Sequence, residues 1–267
     1  MVPGRFPTDA GAATLSSMDG YDPETYGERF ASVYDDWYGG ITDAATCAAL
    51  LADLADLEGD AGGGPVLELG VGTGRLAVPL SALGVQVVGI DTSEAMLAQL
   101  AAKPGGDLVE AVVGDMADPP VGDRSFAVVF VAYNTLFNLV DPADQARCFA
   151  SAARHLLPGG SFVVEAFVPA EGGAPSSVAP RTITADRVVL SVSQTDLGRQ
   201  EAMGQYVDIS EDGIRLRPWH IRWSTTAELD AMAAAAGLVL ADRWADWERT
   251  PFGPDSPSHV SRYALAP

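Results

Sequence analysis

Three glycines and three carboxylates define the chemistry open to this chain. Residues 68–74 read Glu-Leu-Gly-Val-Gly-Thr-Gly, so Gly70, Gly72 and Gly74 alternate two residues after Glu68. Asp91 follows, and Asp115 lies within Gly114-Asp115-Met116. Glycine lets the backbone take positive φ and approach a ligand closely. A carboxylate can accept hydrogen bonds from both hydroxyls of a ribose. Free N–H groups at a helix start favour an anionic group.

Those residues need elements to hold them. Val66 to Leu69 is a short apolar run, expected as a buried strand. Arg75 to Leu83 is expected as a helix with Leu76, Leu80 and Leu83 on one face, stopped by Gly84. Val85 to Ile90 forms the next strand and Asp91 ends it. A βαβ unit with a glycine turn, and an acid about twenty residues on, is the layout of an adenosine-cofactor site.

Two adenosine cofactors compete for that layout. The dinucleotide fingerprint GxGxxG would place glycine at position 75, which is Arg75. The pattern here is ExGxGxG, and Gly-Asp-Met follows a third apolar strand, Leu108 to Val113. Together these resemble the S-adenosylmethionine site of class I methyltransferases. The resemblance implies that Glu68, Gly70, Gly72, Asp91 and Thr92 serve the cofactor. It implies that Asp115 and the Met116 N–H meet the adenine and that Met96 packs near its ring. Ala132, ending the fourth strand Phe126 to Ala132, is expected to complete the contacts. The structural alternative is a plain tight turn with Asp91 as a helix cap.

Ahead of this unit, Tyr21 to Gly40 is dense in aromatics. Tyr26, Phe30, Val33, Tyr34 and Trp37 fall on one helical face. The resemblance extends to small methyltransferases of actinobacterial secondary metabolism, the amino-sugar N-methyltransferases among them. In these an N-terminal helix folds over the cofactor, which implies that Tyr26 and Tyr34 reach its methionine end. An amphipathic helix packed on the body is the plainer alternative. Residues 1–20, rich in Gly, Pro, Ala, Ser and Thr, are expected to be a disordered tail.

The remaining chain is expected to alternate helix and strand. Ile41 to Leu57 is a helix capped by Asp43, and Gly59 to Gly64 is a loop. Ala143 to Leu156 is a helix with His155 capping its last turn, and Ser161 to Phe167 is the fifth strand. Val168 to Pro180 reads as a connection. Arg187 to Asp196, Gln200 to Ile209 and Ile214 to Trp223 then form a three-stranded antiparallel meander. Thr226 to Ala236, Leu238 to Trp247 and His259 to Leu265 close the chain. The expected fold is a Rossmann-like, doubly wound α/β sheet of seven strands. The resemblance supplies its order, 3-2-1-4-5-7-6, with the last strand antiparallel. The cofactor domain is 41–168 and 224–267, with 21–40 as lid and 169–223 as the insertion over the acceptor site.

Ligands of open α/β sheets sit beyond the carboxyl ends of the strands. This makes Tyr133, Glu165 and His220 the candidate catalytic groups, as general bases for an amine or hydroxyl nucleophile. Trp219 and Arg222 are candidates to line the acceptor pocket beside His220. No Asn-Pro-Pro-Tyr follows the fourth strand; Tyr133-Asn134-Thr135-Leu136 stands there. The three histidines and two cysteines show no metal-ligand spacing.

Composition narrows the partners. The net charge is −20, from 16 basic and 36 acidic residues, and Lys103 is the sole lysine. Nucleic acid would need a basic face, so a small-molecule acceptor is expected instead. Cys47 and Cys148 are compatible with a reducing cytoplasm, and no apolar run reaches the roughly twenty residues of a membrane span. The meander can pack wholly on its own domain, or it can also mediate a homodimer. A nicotinamide-dependent oxidoreductase and a non-catalytic S-adenosylmethionine-binding module remain as alternatives to a methyltransferase acting on an N or O atom.

Overall fold

The computed structural model describes residues 18–40, 43–56, 63–170, 172 and 174–266. Most of the expected tail, the ends of the helix expected over 41–57 and most of the 59–64 loop lie outside the described residues. The first elements are two short helices, α1 (Thr25–Phe30) and α2 (Tyr34–Tyr38), in place of one lid helix. The helix breaks at Val33, whose φ of −127° is not helical. Helix α3 (Ala44–Ala55) follows, and Asp43 caps it by accepting the Ala45 N–H at 3.0 Å.

The βα alternation then runs β1 (Val66–Leu69), α4 (Ala77–Ala82), β2 (Val87–Asp91), α5 (Glu94–Ala102), β3 (Val109–Val113) and β4 (Phe126–Val131). After these come α6 (Pro142–Arg154) and β5 (Leu156–Phe167). Every residue of β1 and β4 is buried. Continuous burial is what a parallel strand covered on both faces requires, and it explains their unbroken apolar runs. Four further strands follow: β6 (Ser176–Ile183), β7 (Arg187–Asp196), β8 (Glu201–Ser210) and β9 (Gly213–Arg222). The chain closes with α7 (Thr226–Ala235), β10 (Leu238–Trp244) and β11 (Ser258–Leu265).

The main sheet has seven strands in the order β10-β11-β5-β4-β1-β2-β3, and β11 runs antiparallel to β5 and β10. This is the expected 3-2-1-4-5-7-6 order. Apolar clusters cover both faces, one around Phe126, Phe149 and Phe162, the other around Leu51, Leu76 and Phe130.

The insertion corrects the sequence expectation. It is a four-stranded antiparallel sheet, β6-β7-β8-β9, not three. The extra strand β6, Ser176–Ile183, takes the last five residues of the stretch read as a connection and runs on beyond it. It is exposed along its whole length, so it carries no buried alternation to read. Pro180 fits because β6 is an edge strand with a register shift between Pro180 and Thr182.

Candidate active site

The glycine turn follows β1 directly. Gly70 has φ +76°, and a Cβ there would lie 2.2 Å from the Thr135 Cγ2. A Cβ at Gly72 would meet nothing within 4 Å, so its backbone borders open space. The Gly72 N–H donates to Asp91 Oδ2 at 2.8 Å, and the Ser93 N–H donates to Asp91 Oδ1 at 2.9 Å. Those two bonds fix the carboxylate and leave each oxygen a free lone pair for a hydroxyl. Burial pushes the Asp91 carboxyl up from its ordinary value, against the pull of these N–H groups.

A cavity of about 710 Å³, its open mouth included, lies over this turn. Tyr26, Tyr34, Gly70, Gly72, Asp91, Thr92, Met96, Asp115 and Met116 all line it. Asp115 Oδ1 accepts the Ala117 N–H at 2.8 Å, which holds the Gly114-Asp115-Met116 turn in shape. The sequence did not single out Thr135, Asn138 and Leu139, which form another wall. They come from a 3-10 turn after β4, Thr135–Asn138, too short to leave a periodic signal.

Ala132 is not on that wall. It is buried in the core, and its carbonyl accepts the Thr135 N–H at 3.1 Å. Glu68 also lies behind the surface, 4% exposed, with Oε2 unpartnered among the described residues. Burial, chiefly, pushes its carboxyl up to about 8; Arg75 opposes this and Asp91 adds to it. Arg75 has a buried, unpartnered Nη1 and lies 5.5 Å from the Tyr133 ring centre. A buried acceptor and a buried donor left open, near enough for Arg75 to act on the Glu68 charge, match the ammonium and carboxylate of an amino acid. The methionine end of S-adenosylmethionine carries both groups, so these residues fit it. Arg75 had entered the sequence reading only as the residue that breaks the dinucleotide fingerprint.

The segment expected as a lid is fastened to the body at several points. Glu28 Oε1 accepts from Ser93 Oγ at 2.8 Å and from the Ala95 N–H at 3.1 Å, capping α5 from another segment. A Cβ on Gly27 would lie 2.3 Å from the Ser93 Cβ, so glycine is what lets α1 seat so closely. Asp35 accepts from Thr73 Oγ1 at 2.6 Å and pairs with Lys103 at 2.8 Å. Tyr26 stacks on Phe30 at 4.2 Å, and burial pushes the Tyr34 phenol up to about 12.

Tyr133 and Glu165 come together; His220 does not join them. The Tyr133 N–H donates to Glu165 Oε2 at 2.8 Å. Tyr133 and Asn134 both hold positive φ, +49° and +63°. Such backbone costs about 1–3 kcal/mol per residue and is held by Glu165 and by the Phe167 N–H bonded to Asn134 Oδ1 at 2.6 Å. Burial raises the Tyr133 phenol, with Arg75 opposing, and burial raises the Glu165 carboxyl as well.

The structure corrects the placement of His220. It lies off the cavity wall, 6.1 Å ring to ring from Tyr21, with Nε2 3.9 Å from Glu201 Oε2. Strand alternation explains this, because neighbours such as Trp219 and His220 face opposite sides of β9. Trp219 packs on the main core, and Arg222 donates to Ser224 Oγ at 3.1 Å.

Comparison with known proteins agrees with this geometry. Residues 66–160 match a family described as a methyltransferase domain. The cypemycin N-terminal methyltransferase of a Streptomyces species is 31% identical over 225 residues, 82% of this chain and 89% of that protein. The structure of the CcbJ methyltransferase from Streptomyces caelestis superposes with a TM-score of 0.83 at 40% identity, covering 92% of this chain and all of that one. SAM-bound CalS10, an amino pentose methyltransferase from Micromonospora echinaspora, matches at a TM-score of 0.64 and 25% identity, over 86% and 96% of the two chains. With S-adenosylmethionine as its cofactor, the chain belongs to the class I methyltransferases that act on small molecules.

Proposed function

We propose that the acceptor atom is an amine nitrogen of a natural-product molecule. The observation that carries this reading is that none of the three candidate bases, Tyr133, Glu165 and His220, lines the cavity. Glu165 Oε2 holds the Tyr133 N–H, and His220 stands off the cavity beside Glu201. A hydroxyl would need a base at the moment of attack, whereas an amine can shed its proton to water before it binds. Two relatives point the same way, one named for an N-terminal methylation and one for an amino pentose.

When bound, the cofactor supplies a methyl group made electrophilic by its sulfonium. Asp91 takes the ribose hydroxyls, Asp115 and Met116 the adenine, and Glu68 with Arg75 the amino-acid end. Tyr26 and Tyr34 close over that end and exclude water, which strengthens the polar contacts beneath. Tyr133 keeps its phenolic proton and orients the acceptor; Glu165 positions Tyr133. Alignment and dryness then supply most of the acceleration. The test pairs each amino sugar with its hydroxyl counterpart and measures S-adenosylhomocysteine release. Release with the amine alone is expected; release with the hydroxyl member alone overturns the assignment.

The insertion also supports a homodimer. Cross-strand register places Val178 beside Val192, Leu190 beside Val207, Val207 beside Leu216, and Ile209 beside Ile214 on one face. Val178, Ile214 and Leu216 are 70%, 67% and 52% exposed. This stretch carries no charge in a chain of net charge −20, which disfavours an anionic membrane and suits a second copy related by a two-fold axis. The free, buried thiols Cys47 and Cys148 suit the reducing cytoplasm.

A further inference from the structure

Three guanidinium groups converge on one indole where the lid meets the insertion. The Arg181 guanidinium carbon lies 5.0 Å from the Trp37 ring centre and 5.1 Å from those of Tyr38 and Tyr206. Arg217 lies 5.1 Å from Trp37 and Arg187 5.8 Å. Arg187 and Arg217 share one carboxylate, Asp208, at 2.6 and 2.8 Å. Arg181 donates to the Trp37 carbonyl at 3.2 Å and, among the described residues, pairs with no carboxylate within 4.0 Å. The Arg217 side chain is 5% exposed, and its Nε has no partner. Among the described residues the three cations thus meet one carboxylate within 4.0 Å, with Asp36 and Asp186 acting on Arg187 from farther off, in a chain with more than twice as many acidic as basic residues.

This cluster borders the reacting end of the site. The Tyr38 ring lies 6.0 Å from the Tyr133 ring, so a single ring separates Arg181 from the residue that orients the acceptor. Contact with three aromatic rings holds the guanidinium in place and leaves N–H groups on its edge open. That edge matches the oxygen spacing of a carboxylate or phosphate. A cationic acceptor would have to displace Arg181 and then sit beside two more guanidinium groups, at a Coulombic cost.

We propose that Arg181 binds an anionic group of the acceptor, a carboxylate or a phosphate ester, while Trp37, Tyr38 and Tyr206 hold the guanidinium in place. This rests on the methyltransferase reading above. The acceptor therefore carries an acid at one end and its nucleophilic atom at the other, a short molecular span apart.

The experiment uses the full chain loaded with S-adenosylhomocysteine, whose binding is checked first by calorimetry. Inorganic phosphate, acetate and tetramethylammonium are then titrated at constant ionic strength while the Arg181 Nε–H resonance is followed by NMR. A saturable shift with phosphate or acetate is expected, and the tighter of the two names the acid. Arg181→Gln should weaken anion binding about tenfold or more, with Arg181→Lys intermediate. Unchanged anion binding in Arg181→Gln overturns the inference. So does a shift produced by tetramethylammonium alone, or by none of the three. Failure to bind S-adenosylhomocysteine would instead overturn the methyltransferase reading.

Discussion

Glu165 lies on β5 and Tyr133 in the turn just beyond the neighbouring strand β4, and the Glu165 carboxylate reaches across to hold the Tyr133 N–H at 2.8 Å. Tyr133 has left-handed backbone, which a non-glycine residue adopts only when its surroundings impose it. The bond is therefore part of what shapes the acceptor end of the site. Replacing Glu165 with Gln keeps an oxygen for that N–H; replacing it with Ala leaves the N–H without its partner. Glu165→Ala is expected to lose about 1–3 kcal/mol of stability and most turnover, with Glu165→Gln close to wild type in stability. Thermal denaturation and initial rates check this, and equal damage from both variants would mean the charge matters rather than the N–H partner.

Asp91 should govern cofactor affinity. Asp91→Ala removes a charged partner from two hydroxyls and frees the Gly72 and Ser93 N–H groups. Binding of S-adenosylhomocysteine is expected to weaken by about 2–3 kcal/mol. Calorimetry showing wild-type affinity would exclude the ribose assignment.

Glu68 should make both stability and cofactor binding depend on pH. Its carboxyl titrates near 8 in the fold and near 4.5 when unfolded, so the folded state binds the proton more tightly. Its contribution to stability is full below pH 4.5 and is lost as pH rises toward 8. Glu68→Gln is expected to flatten that slope in denaturant titrations of the ligand-free protein. An ammonium group placed beside Glu68 favours its ionised form. Binding at pH 7 should therefore release a proton, visible as a buffer-dependent calorimetric enthalpy. Identical enthalpies in all buffers would remove Glu68 from the ligand contacts.

The clasps on the lid should slow cofactor escape. Glu28→Ala removes the acceptor of the Ala95 N–H and the bond to Ser93 Oγ, while Ser93 still caps α5, a loss of about 1 kcal/mol. Lys103→Ala breaks the half-exposed pair with Asp35, for less. Stopped-flow release of S-adenosylhomocysteine is expected to speed up severalfold in Glu28→Ala and less in Lys103→Ala. Deleting residues 1–40 should abolish turnover while circular dichroism stays that of a folded core. A truncated protein with full activity would end the lid assignment.

Ile214→Asp and Leu216→Asp introduce charge into the apolar face of the second sheet. Light scattering is expected to show a dimer for the wild-type chain and a monomer for these variants. A monomer mass for the wild type at every concentration excludes the dimer.

How much of this was legible in the sequence depended on whether burial left a pattern. β1 and β4 are buried on both faces, and their apolar runs marked them. The glycine turn and Asp91 were readable because backbone approach and a strand-end acid each demand one residue type. β6 left no trace, since a wholly exposed edge strand needs no alternation. Arg75 was invisible as a candidate because its place beside Glu68 and Tyr133 depends on β1 and the turn after β4. His220 looked like a base because the sequence shows a residue's strand but not which face it takes when its edges are still unknown.

Trp37 joins the two covers of the site. It belongs to α2, in the segment proposed as the lid, yet its ring is gripped by arginines from β6, β7 and β9. Lifting α2 would have to break the Trp37 contacts with that sheet. The expected consequence is kinetic order: cofactor entering first and its demethylated form leaving last, with the acceptor admitted only to a loaded enzyme. Product-inhibition patterns report this directly, since S-adenosylhomocysteine should compete with S-adenosylmethionine and not with the acceptor. A random-order pattern would show that the two covers move independently.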